Sequence, residues 1–422
     1  MSSEFAPAIL LRARLYSALC NNVMANHQTK VVVLCSALMV VVSMGVRQAF
    51  GLFLQPISQD LGLGREVFSL AMALQNLIFG LPLLGIIADC HGARWVVLGG
   101  ALLYAAGCLL VPASTGPLDL YLSLGLVIGL GLSSTTYVVL LGAVAQVVPP
   151  ERRSTAFGVV TAAGSFGTFA LVPIVQWLIS DRGWQGAFPV IAALVAVIAL
   201  LAFGFPRRVG VVADGPKTEG MLLEALNRAR GHSSYWLLNA GFFVCGFHVA
   251  FIATHLPSFL TDNGLSQMIG ATALSLIGLA NIFGSSLFGW LGDRYRKKYL
   301  LSAIYFGRAA VIGLFMLVPL TDYSALLFGG LIGFLWLATV PLTSGTIAQI
   351  FGSRYLSTLY GIVFFSHQIG SFLGVWLAGW LFDSTGSYEV VWWIAIGLAL
   401  AASVLHVPIA DRSVENDCQY SK

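Results

Sequence analysis

Apolar residues run along this chain in stretches of about 20, and each stretch stops at a short polar turn. A bilayer core is crossed by a helix of about 20 apolar residues, so each stretch predicts one spanning helix. They fall near 31–55, 66–88, 94–112, 118–147, 155–180 and 184–205. After a longer polar interval they resume near 235–260, 267–292, 299–319, 323–350, 357–383 and 388–408. The pattern predicts an all-α membrane protein with twelve transmembrane helices. It divides into a tail (1–30), a six-helix bundle (31–205), a central loop (206–234), a second six-helix bundle (235–408) and a second tail (409–422). An even number of crossings puts both termini on one side.

Composition removes the soluble alternative. Of 422 residues, 58% are hydrophobic and 9% charged, with a mean hydropathy of +0.86; a water-facing domain carries about a quarter charged residues. The distribution of charge sets the orientation. Most of the 22 Lys and Arg lie in segments on the side of the termini, whereas Arg65 and Arg182 fall in loops on the other side. Positive charge stays cytoplasmic, so both termini are expected in the cytoplasm, beneath a cell inner (plasma) membrane. The apolar run in residues 1–30 is broken by Arg12 and Arg14 and precedes no small-residue cleavage site, so it reads as a tail. Within the central loop, MLLEALNRA suits a short helix on the membrane surface. The six cysteines show no ligand spacing; no metal or cofactor is expected, and no basic aromatic stretch suits nucleic acid.

The two sets of six spans resemble each other. GIIADCHGAR from 85 returns as GWLGDRYRKK from 289. ERRSTAFGVVTAAGSFGTF from 151 returns as SRYLSTLYGIVFFSHQIGSF from 354, which aligns Gly167 with Gly370. GVRQAFGLFLQPISQDLG from 45 returns as GFHVAFIATHLPSFLTDNG from 246, and Gly125 and Gly129 align with Gly329 and Gly333. One nearly constant offset across four pairs, with an even number of helices per copy, predicts parallel repeats related by a pseudo-two-fold axis along the membrane normal.

These residues resemble a known family. Gly85-x-x-x-Asp89-x-x-Gly92-x-Arg94 is similar to the signature loop between the second and third helices of the major facilitator superfamily, and its second copy stands where that family has one. The resemblance covers about residues 31–408 and implies alternating access. It also implies that Asp89, Arg94, Asp293 and Arg294 belong to cytoplasmic latches between the halves. Cys90 departs from the family's usual basic residue after the Asp, whereas Asp293-Arg294 keeps it. GVRQAFGLFLQPISQDLG, HLPSFLTDNG and SHQIGSFLG resemble the bacterial monocarboxylate and oxalate–formate porter branch, which implies small carboxylates, often moved with a proton. Animal members carry an Asp and an Arg where this chain has Asn281 and Ser285, so their proton relay does not transfer. The alternative is an exporter of drugs or metabolites. That branch carries an Arg where this chain has Gly125, and a Gly-Pro motif absent from GVVTAAGSFGTFALVP.

Binding sites in such folds lie near the midplane, where charge is costly and usually functional. All 18 acidic residues fall in loops, tails or helix ends. Arg47 lies just past the middle of the first span, and the repeat places His248 at matching depth. Two basic side chains with no buried carboxylate point to an anionic substrate, since a guanidinium matches a carboxylate in two-pronged fashion. The other reading for Arg47 is pairing with helix-end carbonyls or water, and for His248 a neutral imidazole packed in the bundle. His367, flanked by Ser366, Gln368 and Ser371, is a further midplane candidate. Asn76, Tyr137 and Asn281 are uncharged ones, as are Gln75, Thr339 and Thr343; each equally suits a helix–helix hydrogen bond. His255 near the outer end beside Pro257 suits a gate or simple packing, and Arg308 suits structural pairing. A proton, if coupled, falls to His248, His367 or the substrate itself. The protein is expected to act as a monomer and not as an enzyme, since no nucleophile–base or metal motif stands out.

Overall fold

The computed structural model describes residues 28–81, 84, 87, 88, 91–206, 226–352 and 356–412. The tails, the central loop and Asp89 of the first signature loop lie largely or wholly outside them. The described residues fold as helices, and ten of these are long and apolar enough to cross a membrane. They are α1 (Gln28–Asp60), α3 (Ala93–Ala113), α4 (Pro117–Val147), α5 (Thr155–Gly204), α6 (Ser233–Asp262), α7 (Gln267–Gly292), α8 (Lys297–Leu317), α9 (Asp322–Phe351), α10 (Thr358–Thr385) and α11 (Glu389–His406). A shorter helix, α2 (Arg65–Phe79), covers the first part of the predicted span 66–88.

α5 is 50 residues long, about 75 Å at 1.5 Å per residue, more than twice the bilayer core. It is broken at Gly183, whose φ of 70° is a conformation that glycine adopts without steric cost. The predicted spans 155–180 and 184–205 lie on either side of that break. The helices turn large apolar side chains such as Leu102, Leu109, Phe283, Phe306 and Trp393 outward and bury Gln75, Asn76, His248, Asn281, Arg308, Thr339 and Gln368. That arrangement suits hydrocarbon as the solvent, because polar side chains there gain only by facing one another.

The repeated glycines explain how the helices approach. A Cβ at Gly45 would meet the Gly167 carbonyl oxygen at 2.5 Å, and one at Gly167 would strike the Val41 carbonyl. In the second half of the chain Gly246 is set against the His367 carbonyl and Gly370 against that of Phe243. Gly125 and Gly129 seat α4 on Ala71, Gln75 and Ile78 of α2, while Gly329 and Gly333 seat α9 on Ala273 and Ile277 of α7. Each glycine makes the same kind of contact as its repeat partner, since a bare Cα lets backbones come within van der Waals distance.

The first half of the chain meets the second along α2 with α10 and α5 with α7, and α1 touches α6. Two helices are interrupted near their middles. α4 has a π-helical stretch at Tyr121–Val127 and an extended residue, Thr136 (φ −124°, ψ −164°), directly before Tyr137. α9 unwinds between Phe334 and Thr339. At that gap Arg308 donates from Nη2 to the Leu335 carbonyl (2.8 Å) and to that of Trp336, and the Asn281 side-chain amide oxygen accepts the Leu337 N–H at 2.9 Å. Backbone freed from a helix within a membrane needs such partners.

Candidate functional site

Arg47 stands on α1 just before a 3₁₀ stretch, Phe50–Phe53. Its Nη2 donates to the Asn76 side-chain carbonyl and its Nη1 to that of Gln48 at 3.2 Å. Nε is buried without a partner, and the guanidinium carbon sits 4.9 Å from the Phe79 ring centroid. Asn76 is held by its own amide, which donates to the Met72 carbonyl at 2.9 Å. These partners are neutral. The described acidic residues lie at helix ends or between helices, among them Asp60, Glu66, Asp262, Asp322, Asp383 and Glu389, so the Arg47 charge meets no carboxylate here.

A cavity of about 10 Å³ lies beside Arg47, lined by Gly51, Met72 and Asn76 and by Val249, Ala250 and Ala253 of α6. That is room for about one water. Beyond it the seam is shut, because a Cβ on Gly51 would collide with the Ala253 carbonyl. Tyr137, half-buried at the start of the second part of α4, presses its hydroxyl on Gly164.

The other predicted residues are spread more widely. His248 hydrogen-bonds the Ala395 carbonyl of α11 at 2.8 Å. A nitrogen facing a carbonyl has to carry the hydrogen, so Nε2 is the donor. Val249 and Ala250, not His248, line the cavity beside Arg47. Asn281 spends its amide across the seam, donating to Ser165 Oγ at 2.8 Å and accepting from Leu337. His367 is 8% exposed, stacked on Phe364 with ring centroids 5.7 Å apart and 3.5 Å from Ser371 Oγ. Arg94 lies over Phe203 and Arg294 over Trp290, each within its own half of the chain, and Asp293 is exposed. Nearby, the Arg296 guanidinium bonds Asp411 at 2.6 Å and holds that carboxyl below its ordinary range.

One cluster escaped the sequence reading. At the predicted outer end, Arg65 reaches from α2 to Asp262 at the end of α6, with Nη1 and Nη2 donating at 2.5 and 2.7 Å. Its guanidinium carbon lies 3.7 Å from the Phe382 centroid and Nη1 donates to the Tyr388 hydroxyl at 2.9 Å. Asp383 of α10 accepts the N–H groups of Arg65 and Glu66 at 2.9 and 2.8 Å, which caps α2 from the other half of the chain. The Trp376 indole donates to Glu66 at 3.1 Å. His255 joins the cluster. Its Nε2 donates to the Val375 carbonyl at 3.0 Å, so Nδ1 accepts from Tyr388, 3.1 Å away.

A family model described as Major Facilitator Superfamily matches residues 36–374. Monocarboxylate transporter 12 of Rattus norvegicus is 27% identical over 360 residues, covering 77% of this chain and 73% of that protein. An uncharacterized MFS-type transporter, YcxA of Bacillus subtilis, is 25% identical over 390 residues, covering 89% and 94%. Among solved structures, a bacterial homolog of the human lysosomal transporter Spinster, inward-facing and occupied, superposes with a TM-score of 0.72 at 14% identity, covering 89% of this chain and 95% of that one. The family match spans most of the chain and its relatives are transporters over most of their own length, so this multi-pass membrane protein is a transporter, not an enzyme, and belongs to the Major Facilitator Superfamily.

Proposed function

We propose that the protein moves a small organic anion, a monocarboxylate, by alternating access, with a proton as the coupling ion. The observation that carries this reading is Arg47: a cation at the seam between the two halves of the chain, held by amide oxygens, with one nitrogen unpartnered and no carboxylate beside it. A buried charge without a counter-ion is costly, and an anionic substrate removes that cost. The names of the relatives called monocarboxylate transporters support the same class.

The architecture proposed with it is twelve crossings in two six-helix bundles (31–205 and 235–408), acting as a monomer with both termini cytoplasmic in the inner membrane. The equivalent glycine contacts of the repeats support two-fold symmetry. So does the pairing of α2 with α10 and α5 with α7, which the repeat interconverts. An inward-facing state belongs to the same reading, supported by the cross-half hydrogen bonds of Arg65, Glu66, Gln55 and Gln176 at the predicted outer end.

The test is uptake of organic acids into proteoliposomes under an imposed pH gradient. Arg47→Ala should abolish uptake at unchanged expression and melting temperature, and Arg47→Lys should impair it because an ammonium lacks the fork. Wild-type uptake by Arg47→Ala would remove the assignment. Uptake indifferent to pH and protonophore would remove the proton.

A further inference from the structure

We propose that the Arg47 site prefers monocarboxylates bearing a flat apolar group, an aryl ring above all, to acetate-sized acids and to dicarboxylates. This rests on the reading that Arg47 receives the carboxylate.

α2 begins and α6 ends at the outer cluster, so Gly51, Ala253 and Thr254 lie outward of Arg47. That side has room for about one water and is closed by the backbone contact of Gly51 with Ala253. The rest of a substrate held by Arg47 has to extend inward.

What it meets there is a wall of rings from both halves of the chain. Phe79, already under the Arg47 guanidinium, packs edge-on to Phe364 of α10 with centroids 6.2 Å apart. Phe364 is half-buried and lies parallel to the His367 ring within 7°. Tyr360 stands 6.5 Å from Phe364, and Phe242 of α6 5.0 Å from His367. Aromatic rings pair at centroid distances of about 4.5–7 Å, face to edge or offset. Of these rings Phe364 and Tyr360 are only half-buried, so a flat ring carried by the substrate can cover surface that a methyl group leaves exposed.

Charge excludes a second carboxylate. The other guanidinium buried among the described residues, Arg308, gives Nε and Nη2 to the carbonyls of Leu335 and Trp336, and its one unpartnered nitrogen, Nη1, does not line the cavity beside Arg47. A dianion on Arg47 would therefore carry one unmatched charge into an apolar seam.

Thermal shift of the purified full-length protein tests this with acetate, benzoate, phenylacetate and succinate, read as the concentration of each that gives the same fixed rise in melting temperature. Burying a ring adds about tenfold to a hundredfold in affinity. Benzoate or phenylacetate should therefore act at concentrations at least about tenfold below acetate, with succinate weakest. Phe364→Leu keeps an apolar side chain and should narrow the aryl-to-acetate ratio severalfold, while Arg47→Ala should remove every response. Acetate equal to benzoate, succinate the tightest, or a ratio unmoved in Phe364→Leu would overturn the preference; if all responses still vanish in Arg47→Ala, the carboxylate reading stands. Responses that persist in Arg47→Ala, or no response to any acid, would overturn both.

Discussion

Replacing Arg65 by Ala should open the outer end of the protein. The Arg65–Asp262 pair joins residues 197 apart across the two halves of the chain through two short hydrogen bonds, with a third to Tyr388. A hydrogen bond to a charged group contributes about 1.5–3 kcal/mol when buried, and truncating one partner of a buried interfacial pair costs about 2–5 kcal/mol. The two side chains are 12% and 23% exposed, so water screens part of this and the lower end applies, about 2–3 kcal/mol. Under the proposed alternating access that energy favours the outer-closed arrangement over the outer-open one. Its loss shifts the closed-to-open ratio by about 30- to 150-fold. Ser258 is a suitable reporter, being 2% exposed and set in the seam beside Gln55 and Gln176. With the six native cysteines replaced, Ser258→Cys should react slowly with an impermeant maleimide added outside, and at least about tenfold faster once Arg65→Ala is added. Asp262→Asn should act in the same direction, and the double variant should fall short of the sum, since both remove one interaction. An unchanged labelling rate, or strictly additive effects, would refute the latch.

Two further substitutions test the frame behind the site. Arg308→Met leaves the Leu335 and Trp336 carbonyls without their donor, which should cost about 3 kcal/mol or more, seen as a fall in melting temperature in detergent with partial recovery in Arg308→Lys. Gly246→Ala sets a methyl group against the His367 carbonyl and should destabilise by about 1–3 kcal/mol; an unchanged melting temperature would show that α6 and α10 separate at little cost.

The spans were legible because lipid enforces them, and the repeat was legible because close helix approach admits glycine at the contact and little else. Arg47 and Asn76 were both named from sequence, and the structure joins them. Sequence register fixes depth along a helix but not the neighbour a side chain reaches. Arg47 extends to α2, whereas His248, its partner by register, bonds the α11 backbone. The outer cluster was missed because Arg65 lies 197 to 323 residues from the side chains it holds, and each of these reads as an ordinary helix end. A signal was present nonetheless. Asp262 and Asp383 stand at the C-terminal ends of α6 and α10, where the helix dipole disfavours a carboxylate, so each requires a cation or free N–H groups from elsewhere. Arg65, set on the side that positive charge avoids, is that cation.

The two buried guanidiniums differ in what neutralises them, and the difference bears on transport. Arg308 faces the carbonyl end of the first part of α9, which carries partial negative charge. The corresponding break in α4 is served by a neutral hydroxyl, Ser43 Oγ donating to the Thr135 carbonyl at 3.0 Å, and Arg47 is left with amide oxygens. The second half of the chain thus offsets its cation with a helix end, leaving only Nη1 of Arg308 without a partner, while under the proposed function the first half leaves its cation to the anion. An empty carrier passing between its two facing states closes over an unneutralised guanidinium; a loaded one closes over an ion pair. A ligand shifts a conformational equilibrium only by its differential affinity for the states, and here the occluded state gains most from the anion. Exchange of internal for external substrate in proteoliposomes should therefore outpace net uptake into empty vesicles by about tenfold or more, the factor that about 1.4 kcal/mol of difference in the crossing barrier produces. Equal rates would mean that the empty carrier crosses as freely as the loaded one, and that Arg47 finds its counter-charge within the protein.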